Sequence, residues 1–194
     1  MSDSEAGRKI MSNKEADGHT DRLLIRIMER RDMEFARMLH NADDTLFFLS
    51  DIEQVSEPQQ EKWFERLSLS AHSRRYTVTE TATDDYVGIF RVDELDWKNR
   101  SVRIGLDITS KKRGRHFSYD IYFYFLDYFF NQCGLHRVYL ATLKTNKQAQ
   151  GLYEKIGFTI EGQSRDALFR NGHFQDLIWY SLLADEYKNR RPKP

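Results

Sequence analysis

The segment Lys111–Ser118 concentrates positive charge, because its first five residues are four cations and one glycine. It lies between a strand-like segment and the longest helical pattern of the chain. A helix N-terminus exposes unpaired N–H groups and a partial positive charge, so it suits a phosphate group, and adjacent Lys and Arg side chains strengthen such a site. The pattern therefore predicts an anion site, with a solvated basic turn as the alternative. It is no Walker loop, because the G-x-x-x-x-G-K-[ST] spacing is missing.

A second segment, Asn146–Phe158, has the pattern N-x-x-A-x-x-x-Y-x-K-x-G-F. Asn146 can cap a helix, Ala149 permits close approach to its backbone, and Tyr153 falls near the same face two turns along. Tyr153 is therefore a candidate for proton chemistry. The alternative is a half-buried packing tyrosine, which the spacing alone does not exclude.

The elements that position these segments alternate between strands and helices. Ser56–Gln59 is a capping box with a proline just inside the helix, and Asn171-Gly172 between two strand patterns predicts a type I′ hairpin. Strand, helix, strand and helix followed by a hairpin predict an α/β (α+β layered) domain, with a mixed sheet covered by helices.

We expect one domain with two tails. Residues 1–21 contain no aromatic residue and few apolar ones, so they predict a disordered N-terminal tail. Residues 22–187 form the domain, and residues 188–194 a C-terminal tail. There is no internal repeat or linker.

The composition narrows the classes of function. Thirty Lys and Arg residues balance thirty Asp and Glu residues, so no global field attracts nucleic acid or a membrane surface. One cysteine excludes an internal disulfide, and the six histidines lack a metal-ligand spacing, so we expect no metal. No apolar run is long enough for a membrane span or a secretory signal. A soluble, cytoplasmic protein is expected.

The two segments, in this order, resemble the GNAT superfamily of acetyl-CoA-dependent N-acetyltransferases over nearly all of Leu23–Tyr187. The resemblance is closest to the branch of ribosomal-protein-alanine, spermidine and amino-sugar-nucleotide acetyltransferases. Besides Asn146–Phe158, the strings that carry it are Asn99–Gly105, Gly134–Val138, Leu152–Gly162 and Phe169–Asp176. It implies the GNAT fold, a mostly antiparallel sheet with a splayed pair of strands at the cofactor site.

The resemblance also implies roles for individual residues. Backbone amides of the family's phosphate loop hold the pyrophosphate of coenzyme A, and the matching residues are Arg113, Gly114, Arg115, His116, Phe117 and Ser118. The strand end Leu106–Ile108 should splay from its neighbour and bind the pantetheine arm through Leu106 and Ile108. Asn146 matches a cofactor-contacting asparagine. Tyr153 matches the acid that protonates the departing thiolate, which suits a phenol with a pKa near 10.

The sequence departs from the family pattern at two places. His116 and Ser118 stand where the loop glycines belong, so a side chain could crowd the phosphate. Arg103 stands where many relatives carry a glutamate base, which arginine cannot replace. Asp107 on the same strand face is then the candidate base. Its rivals are Glu80, Asp93 and Glu94, and the amine could also lose its proton to water.

The expected reaction moves an acetyl group from acetyl-CoA to a primary amine without a covalent enzyme intermediate. The leading acceptor is a small amine such as a nucleotide-linked amino sugar. A protein α-amino group and a polyamine are the alternatives, and a non-catalytic acyl-CoA-binding domain is the rival from another class. The helix Tyr119–Phe130, with eight aromatic residues in twelve, is interpreted as a buried helix whose surplus surface would suit a homodimer.

Overall fold

The computed structural model describes residues 18–190. Eight strands and six α-helices alternate along the chain. The strands are β1 (Gly18–His19), β2 (Leu23–Ile27), β3 (Arg74–Glu80), β4 (Tyr86–Asp96), β5 (Ser101–Ile108), β6 (Arg137–Leu143), β7 (Thr159–Arg170) and β8 (His173–Leu183). The helices are α1 (Met33–Asn41), α2 (Asp43–Leu46), α3 (Glu57–Ser68), α4 (Phe117–Asp127), α5 (Lys147–Ile156) and α6 (Ala184–Arg190).

The strands form one sheet in the order β1-β2-β3-β4-β5-β6-β8-β7. Among the described strands, β5 and β6 make the one parallel pair, and the remaining neighbours are antiparallel. The pairing of β5 with β6 covers only Ser101–Arg103 of β5, although this strand continues to Ile108. The predicted mixed sheet and its splayed strand pair are therefore confirmed.

The helix α4 covers one face of the sheet with aromatic side chains. The ring of Phe125 stacks on that of Phe90 with centroids 3.7 Å apart, and Tyr122 meets Phe90 edge-on at 6.0 Å. Tyr122, Phe125 and Phe90 are at most 1% exposed. The interpretation of the aromatic helix as a buried element is thus confirmed for these residues. A π-helical turn, Tyr128–Gln132, extends it.

Local signals formed as expected at α3 and at the last hairpin. Ser56 and Gln59 complete the capping box, with the Ser56 N–H donating to Gln59 Oε1 at 2.9 Å. Asn171 and Gly172 both adopt positive φ, 50° and 80°, as a type I′ turn requires.

The predicted tail boundaries need correction where the structure describes them. Gly18 and His19 pair with Ile25 and Leu24, because a short strand can satisfy its backbone at the edge of the sheet. At the other end, α6 continues to Arg190. The rest of both predicted tails lies outside the described residues. Within residues 18–190, no helix is long and apolar enough to cross a membrane.

Candidate functional site

The site begins at the gap between β5 and β6. The N–H of Thr109 donates to the Val87 carbonyl at 3.0 Å. Along an antiparallel pair, the backbone N–H and C=O groups of successive residues point alternately toward the partner strand and away from it. With the β4–β5 register, this alternation directs the backbone polar groups of Leu106 and Ile108 toward the gap. The Ile108 carbonyl there accepts from Arg113 Nε at 3.0 Å. A strand edge is thus open to an extended ligand.

The basic loop, Lys111–Ser118, closes one end of this gap. Gly114 and His116 both have left-handed backbones, with φ of 76° and 63°. A glycine adopts that conformation freely, whereas a residue with a side chain is strained in it and raises the free energy of the folded state. His116 is the N-cap of α4, so the unpaired N–H groups of the first helical turn follow it directly. This is the backbone arrangement that binds phosphate.

The two loop arginines point in different directions. Arg113 lines the gap, where its guanidinium donates to Asp44 Oδ2 at 2.6 Å and to Thr45 Oγ1 at 3.3 Å. Arg115 instead donates to Glu80 at 2.8 Å and lies over the ring of Phe117, which is 2% exposed. The side chains of Arg115 and Phe117 therefore lie outside the gap, and only their backbones remain candidates for phosphate.

Asn146 caps α5 with one end of its carboxamide. Its Oδ1 accepts from the Ala149 N–H at 3.1 Å, and the side chain lines the gap. Within the described part of the chain its Nδ2 has no acceptor. One amide thus fixes the helix end and keeps a donor for a ligand.

Tyr153 lies on α5 at the inner end of the gap and is 9% exposed. Its ring meets that of Tyr122 edge-on, with centroids 5.8 Å apart. Burial raises the pKa of Tyr153, although a hydrogen bond from Tyr122 opposes the shift. Burial also raises the pKa of Tyr122 well above its ordinary value, and donation to Tyr153 adds to that shift. Tyr153 therefore remains protonated at neutral pH.

These elements enclose a cleft of about 620 Å³, here called the β5–β6 cleft. The predicted residues that line it are Leu106, Asp107, Ile108, Arg113, Gly114, His116, Ser118, Asn146 and Tyr153. The structure thus brings together residues of β5, the basic loop, α4 and α5.

A second cavity of about 410 Å³ lies on the face of the sheet opposite α4, between α1, α3 and the strands, and is here called the α1–α3 cavity. Asp107 lines both cavities. Its carboxylate forms an ion pair with Arg91, Oδ2 to Nε 3.1 Å. Two ligands, one in each cavity, would therefore meet beside Asp107.

The rival carboxylates lie elsewhere. Glu80 pairs with Lys112 and Arg115, Asp93 pairs with Arg75, and none of the three rivals lines either cavity. Glu94 pairs with Arg103 at 3.0 Å, which places Arg103 away from the cleft as well. The geometry favours Asp107 as the candidate base.

The cleft residues that were not predicted as site residues include Tyr122, Asp44 and Thr45. Tyr122 is one of many aromatic residues in its segment. The signal that could have identified it is its position four residues after Ser118, which places both residues on one face of the helix. Asp44 and Thr45 belong to a four-residue helix without a sequence signal of its own. Their place beside Arg113 depends on contacts across 69 and 68 residues.

Comparison with known proteins agrees with this geometry. The family model described as an acetyltransferase (GNAT) domain matches residues 25–179. Spermidine N(1)-acetyltransferase of Vibrio cholerae is 29% identical over 168 residues, which cover 87% of this chain and 96% of that protein. L-amino acid N-acetyltransferase AaaT of Escherichia coli is 26% identical over 163 residues, 83% of this chain and 98% of that protein.

Solved structures show the same fold. The crystal structure of spermidine N-acetyltransferase from Vibrio cholerae in complex with CoA and spermine superposes with a TM-score of 0.82. The two sequences are 26% identical, and the match covers 88% of this chain and all of that chain. The family match over most of the domain, together with the open strand edge and the phosphate-type loop, leads to one conclusion: this chain belongs to the GNAT family and is an acetyl-CoA-dependent acetyltransferase.

Proposed function

We propose that the protein transfers the acetyl group of acetyl-CoA to the primary amine of a small molecule. The observation that carries this proposal is that Asp107 lines both the β5–β6 cleft and the α1–α3 cavity. Acetyl-CoA then enters through the cleft, where Tyr153 lies, the amine enters through the cavity, and the two meet at Asp107. Transfer proceeds directly, without an acetylated enzyme.

Each part of the cleft has a role in this proposal. The backbone of Gly114–Ser118 and the guanidinium of Arg113 bind the pyrophosphate. The open edge at Leu106 and Ile108 binds the pantetheine arm, and Asn146 donates to it. Asp107 accepts the proton of the amine, directly or through a water molecule, and Tyr153 donates its proton to the departing thiolate.

The relatives offer more than one acceptor. A polyamine is the acceptor named for the Vibrio cholerae protein, and an amino acid for the Escherichia coli protein. The first supports the polyamine alternative over the amino-sugar lead, and the second adds a small amine with a carboxylate. Similar structures include a dodecameric spermidine N-acetyltransferase from Vibrio cholerae. The homodimer of this chain remains a prediction.

The experiment that tests the proposal is an amine screen for coenzyme A release, with mass spectrometry of the product. The panel contains spermidine, amino acids, a nucleotide-linked amino sugar and a peptide with a free α-amino group. Formation of an N-acetylated product by one of them supports the proposal. Acetyl-CoA binding without transfer to any of them would favour the non-catalytic acyl-CoA-binding domain.

The two loop arginines provide a first prediction with a built-in control. Arg113→Ala is expected to weaken acetyl-CoA binding by about tenfold or more, since a hydrogen bond to a charged group contributes roughly 1.5–3 kcal/mol. Arg115→Ala removes an equal charge, but its side chain pairs with Glu80 outside the cleft, so its effect should be several times smaller. Calorimetric titration of both variants measures the difference. Equal losses would contradict the assignment of Arg113.

The left-handed backbone of His116 provides a second prediction. His116→Gly is expected to raise the free energy of unfolding by up to about 1 kcal/mol, because glycine adopts positive φ without the strain of a side chain. Acetyl-CoA affinity should stay equal or improve. Thermal unfolding and titration check the two effects, and Ser118→Gly is the control at a helical position of the same loop. A clear loss of affinity would mean that the imidazole itself binds the cofactor or the acceptor.

A further inference from the structure

The α1–α3 cavity has an excess of positive charge. Its charged lining consists of the cations Lys62, Arg66, Arg75 and Arg91 and the carboxylates Asp51 and Asp107. A polyamine site needs carboxylates to balance several ammonium groups, and this cavity offers more cations than acids. Like charges brought together across a binding site oppose binding. The lining therefore disfavours a polycation such as the acceptor named for the Vibrio cholerae relative, and it favours an acceptor with negative charge.

The floor of the cavity places two arginines side by side. Arg75 and Arg91 are directly opposite each other on β3 and β4, where like charges destabilise a sheet. Asp93 compensates Arg75 at 2.9 Å, and Asp107 compensates Arg91 at 3.1 Å. Burial lowers the pKa of Arg75, and the nearby charge of Arg91 adds to this effect. Because these carboxylates balance the two arginines, the excess positive charge of the cavity lies at Lys62 and Arg66.

The mouth of the cavity carries the two free cations. Lys62 and Arg66 stand one turn apart on α3, on the helix face that Trp63 also shares, and all three line the cavity. Within residues 18–190 neither Lys62 nor Arg66 takes part in an ion pair or a side-chain hydrogen bond. Both side chains are exposed, so they can reach a ligand that enters beside Trp63.

We propose that the acceptor amine carries an anionic group, a phosphate or a carboxylate, which binds Lys62 and Arg66 while the amine reaches Asp107. This inference rests on the proposed function and specifies the acceptor class for the same site. The anionic group stays at the mouth of the cavity, and the uncharged part of the acceptor passes the apolar wall formed by Leu39 and Ile89.

Four amines of equal chain length test the inference: pentylamine, cadaverine, 5-aminopentanoate and 5-aminopentyl phosphate. At saturating acetyl-CoA, the two anionic amines are expected to exceed pentylamine in kcat/KM by about tenfold or more, and cadaverine to fall below it. Comparison of the carboxylate with the phosphate identifies which anion the site prefers. A preference for cadaverine would overturn the inference.

Charge reversal on α3 provides the second arm. The double variant Lys62→Glu with Arg66→Glu should lower kcat/KM for the anionic amines by about tenfold or more and raise it for cadaverine. The control, Lys98→Glu with Lys188→Glu, makes the same change in net charge at exposed positions outside both cavities. An equal effect of both double variants on all four amines would overturn the inference.

Binding of the acetylated products separates this inference from the proposed function. Calorimetry compares 5-acetamidopentyl phosphate with N-pentylacetamide, and neither measurement requires turnover. We expect the wild-type protein to bind 5-acetamidopentyl phosphate and the α3 double variant to lose this binding. Such binding without coenzyme A release from any amine would refute the proposed function alone, whereas equal binding of both compounds would refute the anion site.

Discussion

Replacement of Tyr153 by phenylalanine is expected to lower turnover by about 10²–10⁴-fold, the range of one general acid. Expulsion of the thiolate of coenzyme A is easier when a proton arrives as the C–S bond breaks. Phenylalanine keeps the ring among Tyr122, Phe158 and Tyr180 but removes that proton. Acetyl-CoA affinity should remain nearly constant. The variant also loses the hydrogen bond from Tyr122, so we expect its free energy of unfolding to fall by no more than about 1 kcal/mol.

Tyr180 supplies a matched control for this variant. Its ring lies 5.4 Å from that of Tyr153, it is fully buried, and its hydroxyl has no hydrogen-bond partner in the described part of the chain. Tyr180→Phe should therefore keep full turnover. Steady-state rates of the Tyr153→Phe and Tyr180→Phe variants with the cognate amine measure the difference. Full activity of the Tyr153 variant would show that the tyrosine only packs.

The expected pH dependence of the rate follows from Tyr153 and Asp107. Burial raises the pKa of Tyr153 above its ordinary value, so the phenol keeps its proton up to about pH 10. An alkylammonium acceptor has a pKa of about 10.4, and Asp107 takes up its proton in the site. The rate of the wild-type protein at low amine concentration should therefore stay level from neutral pH to about 10, without a falling limb. In Tyr153→Phe the same level profile should persist at a lower rate.

Asp107→Asn is expected to reduce kcat/KM by about 10²–10⁴-fold near neutral pH, because the amide cannot accept the proton of the amine. Part of the rate should return at high pH, where the amine is already deprotonated. This recovery distinguishes a lost base from a damaged fold. The variant also leaves Arg91 without its ion-pair partner, so its melting temperature must be measured beside the rate.

Glu94→Gln is the control for Asp107. Glu94 lies on the neighbouring strand, pairs with Arg103 and lines neither cavity, so its replacement should leave the rate unchanged. If Asp107→Asn retains full activity at neutral pH, the amine loses its proton to water and Asp107 serves only to hold Arg91.

Local sequence signals determined much of the fold. The capping box at Ser56 and the turn at Asn171-Gly172 depend on atoms within four residues of each other, so the sequence predicts them directly. The helix cap of Asn146 is of the same kind. The alternation of buried and half-buried residues in the first half of β5 is local in the same sense, because successive side chains of a strand point to opposite faces.

The tertiary structure decided the details of the site, because these depend on residues far apart in the chain. The sequence left four carboxylates as candidate bases, and only the position of Asp107 between the two cavities separates it from the other three. The sequence treated Arg113 and Arg115 alike, whereas Asp44 and Glu80 hold them in different places. The cations of the α1–α3 cavity come from α3, β3 and β4, and only folding brings their charges to one ligand.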